Sequence, residues 1–401
     1  MKNIAVFFGG KSVEHDVSIV TALQLIENMD KQKYNAVPIY ITRDGDWYTG
    51  EKLKQVKTFE AFDKADPQLT RCYLPANTRA RQLFRFETGK QKLFGKKEDP
   101  VICTIDAAIP AMHGLHGEDG TLQGLLELAE VPYTSCGVLG SAAGMDKILM
   151  KAAFAGGGLP VLPYIYFDRG ALPEEAQKIA EWAESRLQYP MFVKPANLGS
   201  SIGISKAKNR EELLRAMEVA SHYDMRILVE QGVDKPVEIN CSAMGFGGSV
   251  QASVCEMPVT WEDFLTYDEK YMRGGKNAKG GMQSLARQIP APISEELTEQ
   301  IRACTVKAFK LLDCKGVVRI DYILDGETLY INEINTIPGS FAFYLWEPMG
   351  VSYAQLIDRM LALAFEACED AKQNDYAFRS DIVKNYGQGK ASAKGGKLSV
   401  K

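Results

Sequence analysis

Two rhythms of apolar and polar residues run along this chain, and their order is that of an α/β protein. Residues 4–8 form an unbroken apolar run that ends in Gly9-Gly10, which predicts a buried strand and a glycine turn. Apolar residues at helical spacing follow over 19–28, and a second apolar run occupies 34–41. Strand, helix and strand make a βαβ unit of Rossmann-like character, whose turn at 9–18 lies on the ligand side of the sheet. A buried strand over 101–110 leads into the loop His113-Gly114-Leu115-His116-Gly117-Glu118-Asp119-Gly120, and a helix over 121–129 takes up the chain again. A helical stretch over 140–151 stops before Pro160 and Pro163, the first domain break. The pattern then predicts a helix over 173–187 with its proline in the first turn, a strand–loop–strand unit over 192–206, a helix over 210–220 capped by Asn209, and a strand over 227–230. Amphipathic helices over 294–312 and 353–368 are expected to pack on a C-terminal sheet.

Composition changes this picture little. At 401 residues the chain is too long for one simple core, and 46% hydrophobic with 24% charged residues is ordinary for a globular protein. A formal net charge of −4 gives no basic footprint, so no nucleic acid is expected as partner. No apolar run is long enough for a membrane span, and a cytoplasmic location is expected. The eight cysteines form no C-x-x-C pair, which argues against a zinc site or a disulfide framework and for reduced, mostly buried thiols. Residues 71–97 carry eight Lys or Arg against the single acid Glu87, and Phe84, Phe86 and Phe94 flank Thr88-Gly89, which reads as a basic, aromatic hairpin with a solvated face. There is no Walker motif and no G-x-G-x-x-G fingerprint, so a nucleotide would have to be bound by another architecture.

The densest chemistry lies between Arg319 and Gly339. Two short strands around Asp325-Gly326 put Arg319 and Asp321 on one face of the first, and Glu333 and Asn335 on one face of the second. Three oxygen ligands and a guanidinium suit a hard cation beside an oxyanion. Because 321 and 333 have an even sum, a regular two-residue turn cannot pair them, so a bulge or a three- or five-residue loop is predicted. Upstream, the small-residue loop after Lys194, Asn197-Leu198-Gly199-Ser200-Ser201, can fold over phosphates. Glu14 by itself reads as a first-turn carboxylate favoured by the helix dipole, His113 as a loop hydrogen-bonding group, and Asp119 as a cap.

Together, the His113–Gly120 loop, Met145-Asp146-Lys147, residues 192–206, Tyr267-Asp268-Glu269-Lys270-Tyr271, Arg319-Ile320-Asp321 and the run from Glu333 to Gly339 resemble the D-alanine:D-alanine ligases of the ATP-grasp superfamily. The motifs stand in that family's order over roughly residues 1–365. The resemblance implies a three-domain ATP-grasp fold: an N-terminal domain over 1–135 with the basic hairpin inserted near 71–97, a central subdomain over 136–226, a C-terminal subdomain over 227–375 with the metal site, and a flexible tail over 376–401. It implies ATP, two Mg²⁺ ions with Mn²⁺ as a possible substitute, two D-alanine molecules, a homodimer and a role in peptidoglycan synthesis. Lys147, Lys194 and Ser201 match the phosphate-binding set, Glu230 and Val233 the adenine edge, and Glu238 the ribose ligand. Asp321, Glu333 and Asn335 match the metal ligands. Glu14, Ser200 and Tyr271 match the set that orients the first amino acid, which reverses the bland reading of Glu14. Arg319 and the Gly339 N–H match the groups that hold the reacting oxygen, and His113 and Lys270 match substrate contacts. The chain departs from the family at Tyr344, where counting from Gly339 places a serine that binds the second amino acid's carboxylate; here Lys270 and Tyr344 are expected to hold that carboxylate instead. That departure leaves D-serine, or another carboxylate–amine ligation, as the alternative to D-alanine at both sites. Residues 261–282 read as a lid over the reacting groups.

Overall fold

The computed structural model describes residues 1–76, 80–86, 99–258, 287–375, 380 and 382–387. Lys270 and Tyr271, the lid expected over 261–282, the hairpin tip with Thr88-Gly89 and Phe94, and the chain from 388 onward lie outside the described residues. The tail expected from 376 carries one described helix, Ile382–Gly387.

The apolar runs at the start of the chain become β1 (Lys2–Gly9) and β2 (Tyr34–Ile41), parallel and in register from Lys2↔Tyr34 to Gly9↔Ile41. Between them the helix His15–Asn28 begins earlier than its apolar spacing suggested, because Glu14 ends the turn and stands at its N-terminal boundary. The sheet continues antiparallel through β3 (Trp47–Thr49), β4 (Thr70–Tyr73), β5 (Gln82–Arg85) and β6 (Val101–Thr104), while β7 (Ala107–Pro110) lies parallel to β1 on its other side. The single strand expected over 101–110 is therefore two. Ile105 N–H donates to Arg81 C=O and Asp106 N–H to Asn3 C=O, so adjacent residues hand over from one end of the strand order to the other. The sheet curls until those ends meet.

β8 (Tyr164–Asp168), β9 (Met191–Pro195), β10 (Ser205–Ala207) and β11 (Arg226–Gln231) form a four-stranded sheet in the order β10-β9-β11-β8. Helices Leu172–Arg186 and Arg210–Ser221 cover it, the second capped by Asn209 as expected. The subdomain boundary expected at 226/227 falls inside β11, whose pairing with β8 and β9 keeps the whole strand in this sheet. Helices Val138–Met145 and Lys147–Gly156 pack elsewhere: Ala143, Met150 and Phe154 share a core with Ile239, Val318 and Ile320 of the C-terminal sheet.

That third sheet runs β14-β13-β12-β15-β16, from β12 (Val237–Phe246), β13 (Ser249–Pro258), β14 (Arg287–Gln288), β15 (Gly316–Asp325) and β16 (Thr328–Asn335). Alternation along β15 sends Val318, Ile320 and Tyr322 toward the helix Glu295–Leu311 and leaves Arg319 and Asp321 on the opposite face. The helix Tyr353–Ala371 is shared rather than packed on this sheet alone: Leu356, Ile357, Met360 and Leu361 lie in one core with Ile4, Val6 and Phe8 of the N-terminal sheet and Met244 and Val317 of the C-terminal one. β15 and β16 close from Asp325 to Thr328, and a bulge then lets Asp321 pair with Glu333, as parity required. All eight cysteines are free thiols, five of them buried (72, 136, 241, 255 and 314).

Candidate active site

Antiparallel register builds the site from the backbone outward. Glu256 on β13 lies opposite Asn240 on β12, Asn240 opposite Asp321 on β15, and Asp321 opposite Glu333 on β16. Directly opposed residues share a face, so these four side chains form one row across the sheet. Asn335, opposite Arg319 in the next row, donates from Nδ2 to Asp321 Oδ2 at 3.0 Å. Arg319 forks onto Asp321, Nε to Oδ1 at 2.6 Å and Nη2 to Oδ2 at 2.7 Å. The donor set suits Mg²⁺. Asp321, Glu333 and the amide oxygen of Asn335 are hard ligands, and two carboxylates are the number expected when phosphates complete the coordination. Among the described residues no group of three or more His, Cys, Asp or Glu offers a different metal a place.

Three lysines face this row. Lys147 opens its helix behind Asp146, whose carboxylate accepts from Ile148 N–H and Leu149 N–H. Its ammonium donates to Leu198 C=O at 2.7 Å and lies 3.8 Å from Glu333 Oε2. Lys194, near the end of β9, donates to Glu230 Oε2 at 2.5 Å and to Asn332 Oδ1 at 3.2 Å. Asn332 is the extra residue of the bulge, so the irregularity that aligns Glu333 with Asp321 also supplies a contact for Lys194. The third lysine, Lys151, pairs with the other oxygen of Glu230, and both side chains are almost fully buried. Burial pushes the Lys151 pKa down; burial pushes Glu230 up, but its two lysines outweigh that and hold it below the usual range. Glu230, expected at the adenine edge, therefore spends its carboxylate on lysines. A buried carboxylate with two cationic partners is far cheaper than one exposed to an uncharged base edge.

Three cavities line up along this cleft. The first is bounded by Leu162, Phe192, Val233 and Ile323, with Glu230 and Glu238 at its polar edge. It shares Lys194, Glu238 and Asn332 with the second, where Lys147, Ser201, Asp321 and Glu333 converge. The second shares Leu198 and Gly199 with the third, which is lined by Ser12, Glu14, Gly114 and Leu115. Ser200, at φ 54°, turns its hydroxyl across this wall to donate to Glu14. A Cβ at Gly199 would come within 2.6 Å of Glu14 Oε2, and one at Gly114 within 2.7 Å, so loops from two sheets approach this carboxylate only because both carry glycine.

The His113–Gly120 loop joins the halves of the molecule. His113 Nε2 meets Thr21 Oγ1 at 2.8 Å, and the ring also hydrogen-bonds the Ile337 backbone. Burial drives its pKa down to about 4, so the ring is neutral. These contacts make it a brace where a substrate contact was expected. Glu118 accepts from Gly114 N–H at 2.8 Å and from Ile337 N–H at 3.1 Å, and burial with Glu14 nearby pushes its carboxyl up to about 8. Gly120, not Asp119, stands at the helix N-cap; Asp119 ties the turn before it, accepting from Thr121 N–H and His116 N–H, both at 2.9 Å. Gly339 leads into a left-handed turn, with Ser340, Phe341 and Ala342 at φ 50°, 55° and 51°. The expectation for Tyr344 is corrected as well. Its hydroxyl donates to Glu256 Oε1 at 3.0 Å, so its one proton is not aimed at a substrate carboxylate. Lys151, Glu118, Asn332 and Glu256 escaped the sequence reading. For Lys151 the signal was there, since it lies four residues beyond Lys147 on the same helix face.

Two family models match the chain, D-ala D-ala ligase N-terminus over residues 3–136 and D-ala D-ala ligase C-terminus over 153–362. A D-alanine–D-alanine ligase of Ruminiclostridium cellulolyticum is 41% identical over 383 residues, covering 93% of this chain and 97% of its own. One from Thermosipho melanesiensis is 37% identical over 375 residues, with 93% and 96% covered. Among solved structures, the D-alanine-D-alanine ligase from Coxiella burnetii superposes with a TM-score of 0.74 at 25% identity, covering 97% of this chain and 100% of that one. VanG D-Ala:D-Ser ligase from Enterococcus faecalis superposes at 0.75 with 29% identity, covering 90% and 99%.

Proposed function

The chain belongs to the D-alanine:D-alanine ligase family, and on that footing we propose that its three aligned cavities are, in order, the adenine, phosphate and first amino-acid sites of an ATP-dependent ligase that makes D-alanyl-D-alanine for peptidoglycan. The observation that carries the assignment is the shared wall. Leu198 and Gly199 separate the phosphate cavity from the cavity of Glu14, so a carboxylate anchored by its own ammonium at Glu14 meets the γ-phosphate across one short loop. Adenine lies between Phe192, Leu162, Val233 and Ile323, and Glu238 faces the ribose.

A carboxylate is a poor acyl donor. In the first step an oxygen of the first D-alanine's carboxylate attacks the γ-phosphorus, the bond to ADP breaks, and an acyl phosphate forms. Protein groups assist such a transfer by position and charge, which is what Lys147 and Lys194 supply. Mg²⁺, held by Asp321, Glu333 and Asn335, would neutralise phosphate charge there. In the second step the neutral amine of the second D-alanine attacks the acyl carbon. The tetrahedral oxyanion is held by Arg319 and the Gly339 N–H, phosphate leaves, and the amine's proton passes to solvent. Arg319 must loosen its fork on Asp321 to do this, and a cation held by Asp321 would compete for the same oxygens.

The test is product analysis with ATP, Mg²⁺ and a panel of D- and L-amino acids, alone and in pairs. ADP, phosphate and D-alanyl-D-alanine in equal amounts are expected. Dipeptide carrying D-serine in preference at its second position would overturn the assignment of D-alanine to both sites, and product from L-alanine alone would overturn the substrate class.

A further inference from the structure

The far end of the carboxylate row carries a second charged cluster that the chemistry above does not use. Glu256 is 2% exposed, and Oε1 accepts from Asn240 Nδ2 and from the Tyr344 hydroxyl, each at 3.0 Å. Oε2 lies 3.4 Å from Arg287 Nη1. Arg287 comes from β14, which pairs with the end of β13, and its guanidinium sits over the Tyr344 ring at 4.1 Å from the centroid. Glu256 lies close enough to Arg319 for its charge to act on it. The cluster thus borders the oxyanion group on the side away from the phosphates.

An amino acid entering here brings a carboxylate into surroundings that already contain Glu256 and Asp321. A fixed cation must offset that repulsion. Tyr344 cannot, since its proton goes to Glu256, and Arg319 is committed to Asp321 and to the reaction centre. A guanidinium held over an aromatic ring and paired with a buried carboxylate is pre-organised for a second, planar anion. Resting on the ligase reading above, we propose that Arg287, held by Glu256 and Tyr344, is a fixed cation that recognises the carboxylate of the second amino acid. Glu256 and Tyr344 act as positioning residues: they orient the guanidinium and do not touch the substrate. The buried Glu256 then has a purpose that stability alone does not supply, since ion pairs of this kind are seldom worth more than an apolar core.

The experiment lets two acceptors compete for the same activated D-alanine. The full chain is given ATP, Mg²⁺, D-alanine and D-alaninamide, which lacks the anionic carboxylate, and the two dipeptide products are separated and counted. Their ratio reports acceptor choice alone, because both share the first step. Arg287→Gln should lower the acid-to-amide ratio roughly tenfold or more, the usual worth of a charge-assisted pair, with half-saturation for ATP unchanged. Arg287→Lys, which keeps the charge and loses the fork, should give an intermediate ratio, and Glu256→Gln should shift it the same way by less. An Arg287→Gln chain, or Arg287→Lys should the first not fold, that makes less of both products in the wild-type ratio would overturn the inference. A wild-type chain that forms neither dipeptide overturns the ligase reading and this inference with it; one that does, with the ratio unmoved by substitution, overturns this inference alone.

Discussion

Asp321 and Glu256 occupy the same row of the same sheet face, with only Asn240 between them, yet their surroundings set them to opposite tasks. Asp321 stands against Arg319, Glu333 and the lysine-lined cleft, where an incoming cation can compete for it. Glu256 is buried, its Oε1 taken by an amide and a phenol and its Oε2 facing a guanidinium, none of which a ligand would readily displace. One carboxylate is arranged to exchange partners and the other to keep them. The difference lies in neighbours supplied by other strands, not in the residue or its place on the pleat.

Replacing each end in turn separates these tasks. Glu333→Gln should leave the melting temperature near wild type and lower kcat on the order of a thousandfold, read by ADP release; Asp321→Asn should lower kcat as far and also cost stability, because Arg319 loses its anion. Full turnover in either variant would remove the metal assignment. At the other end, Glu256→Leu strips a buried guanidinium of its anion. The expected effect is a loss of about 3–5 kcal/mol in denaturant unfolding, whereas Glu333→Gln changes that measurement little.

His113 bears on the metal end through Ile337, and its pKa makes that brace sensitive to acid. The folded ring titrates near 4 and an unfolded one near 6.5, so below 6.5 the unfolded chain takes up a proton that the fold refuses. Its contribution is complete above pH 6.5 and lost as pH falls to 4, on the order of 3 kcal/mol across that window. Stability measured against pH in His113→Gln should lack this component, and an unchanged profile would refute it. The mildest change is Tyr344→Phe, which removes one hydrogen bond to Glu256, costs about 1 kcal/mol of stability, and raises KM for the second amino acid more than for the first.

How far each end could be read from sequence follows the same division. Asp321, Glu333 and Asn335 lie within one hairpin, where spacing of two places side chains on one face and the parity of 321 and 333 demands the observed bulge. Lys194 was legible as a strand lysine before a phosphate-folding loop, whereas Glu14, Lys147 and Ser200 needed the resemblance, because each is an ordinary residue in an ordinary loop or helix until the cavities unite them. Glu256 and Arg287 gave no local signal. Their meaning depends on the register of β12 against β13, which shifts at Cys241/Ala243, and on a short strand that returns from far along the chain. The three sheets were legible as alternating elements, but the curl of the first was not, since it rests on two backbone hydrogen bonds at Ile105 and Asp106.

The helix Tyr353–Ala371, shared between the first and last sheets, ties this architecture to the order in which the chain is made. Residues Ile4, Val6 and Phe8 leave the ribosome some 350 residues before their partners Leu356, Met360 and Leu361. At about 5–20 residues per second that interval lasts from under twenty seconds to more than a minute. During it the helix His15–Asn28 already covers part of that apolar face through Ile19, Ala22 and Leu25, and the part that Leu356, Met360 and Leu361 will cover stays bare until their helix is made.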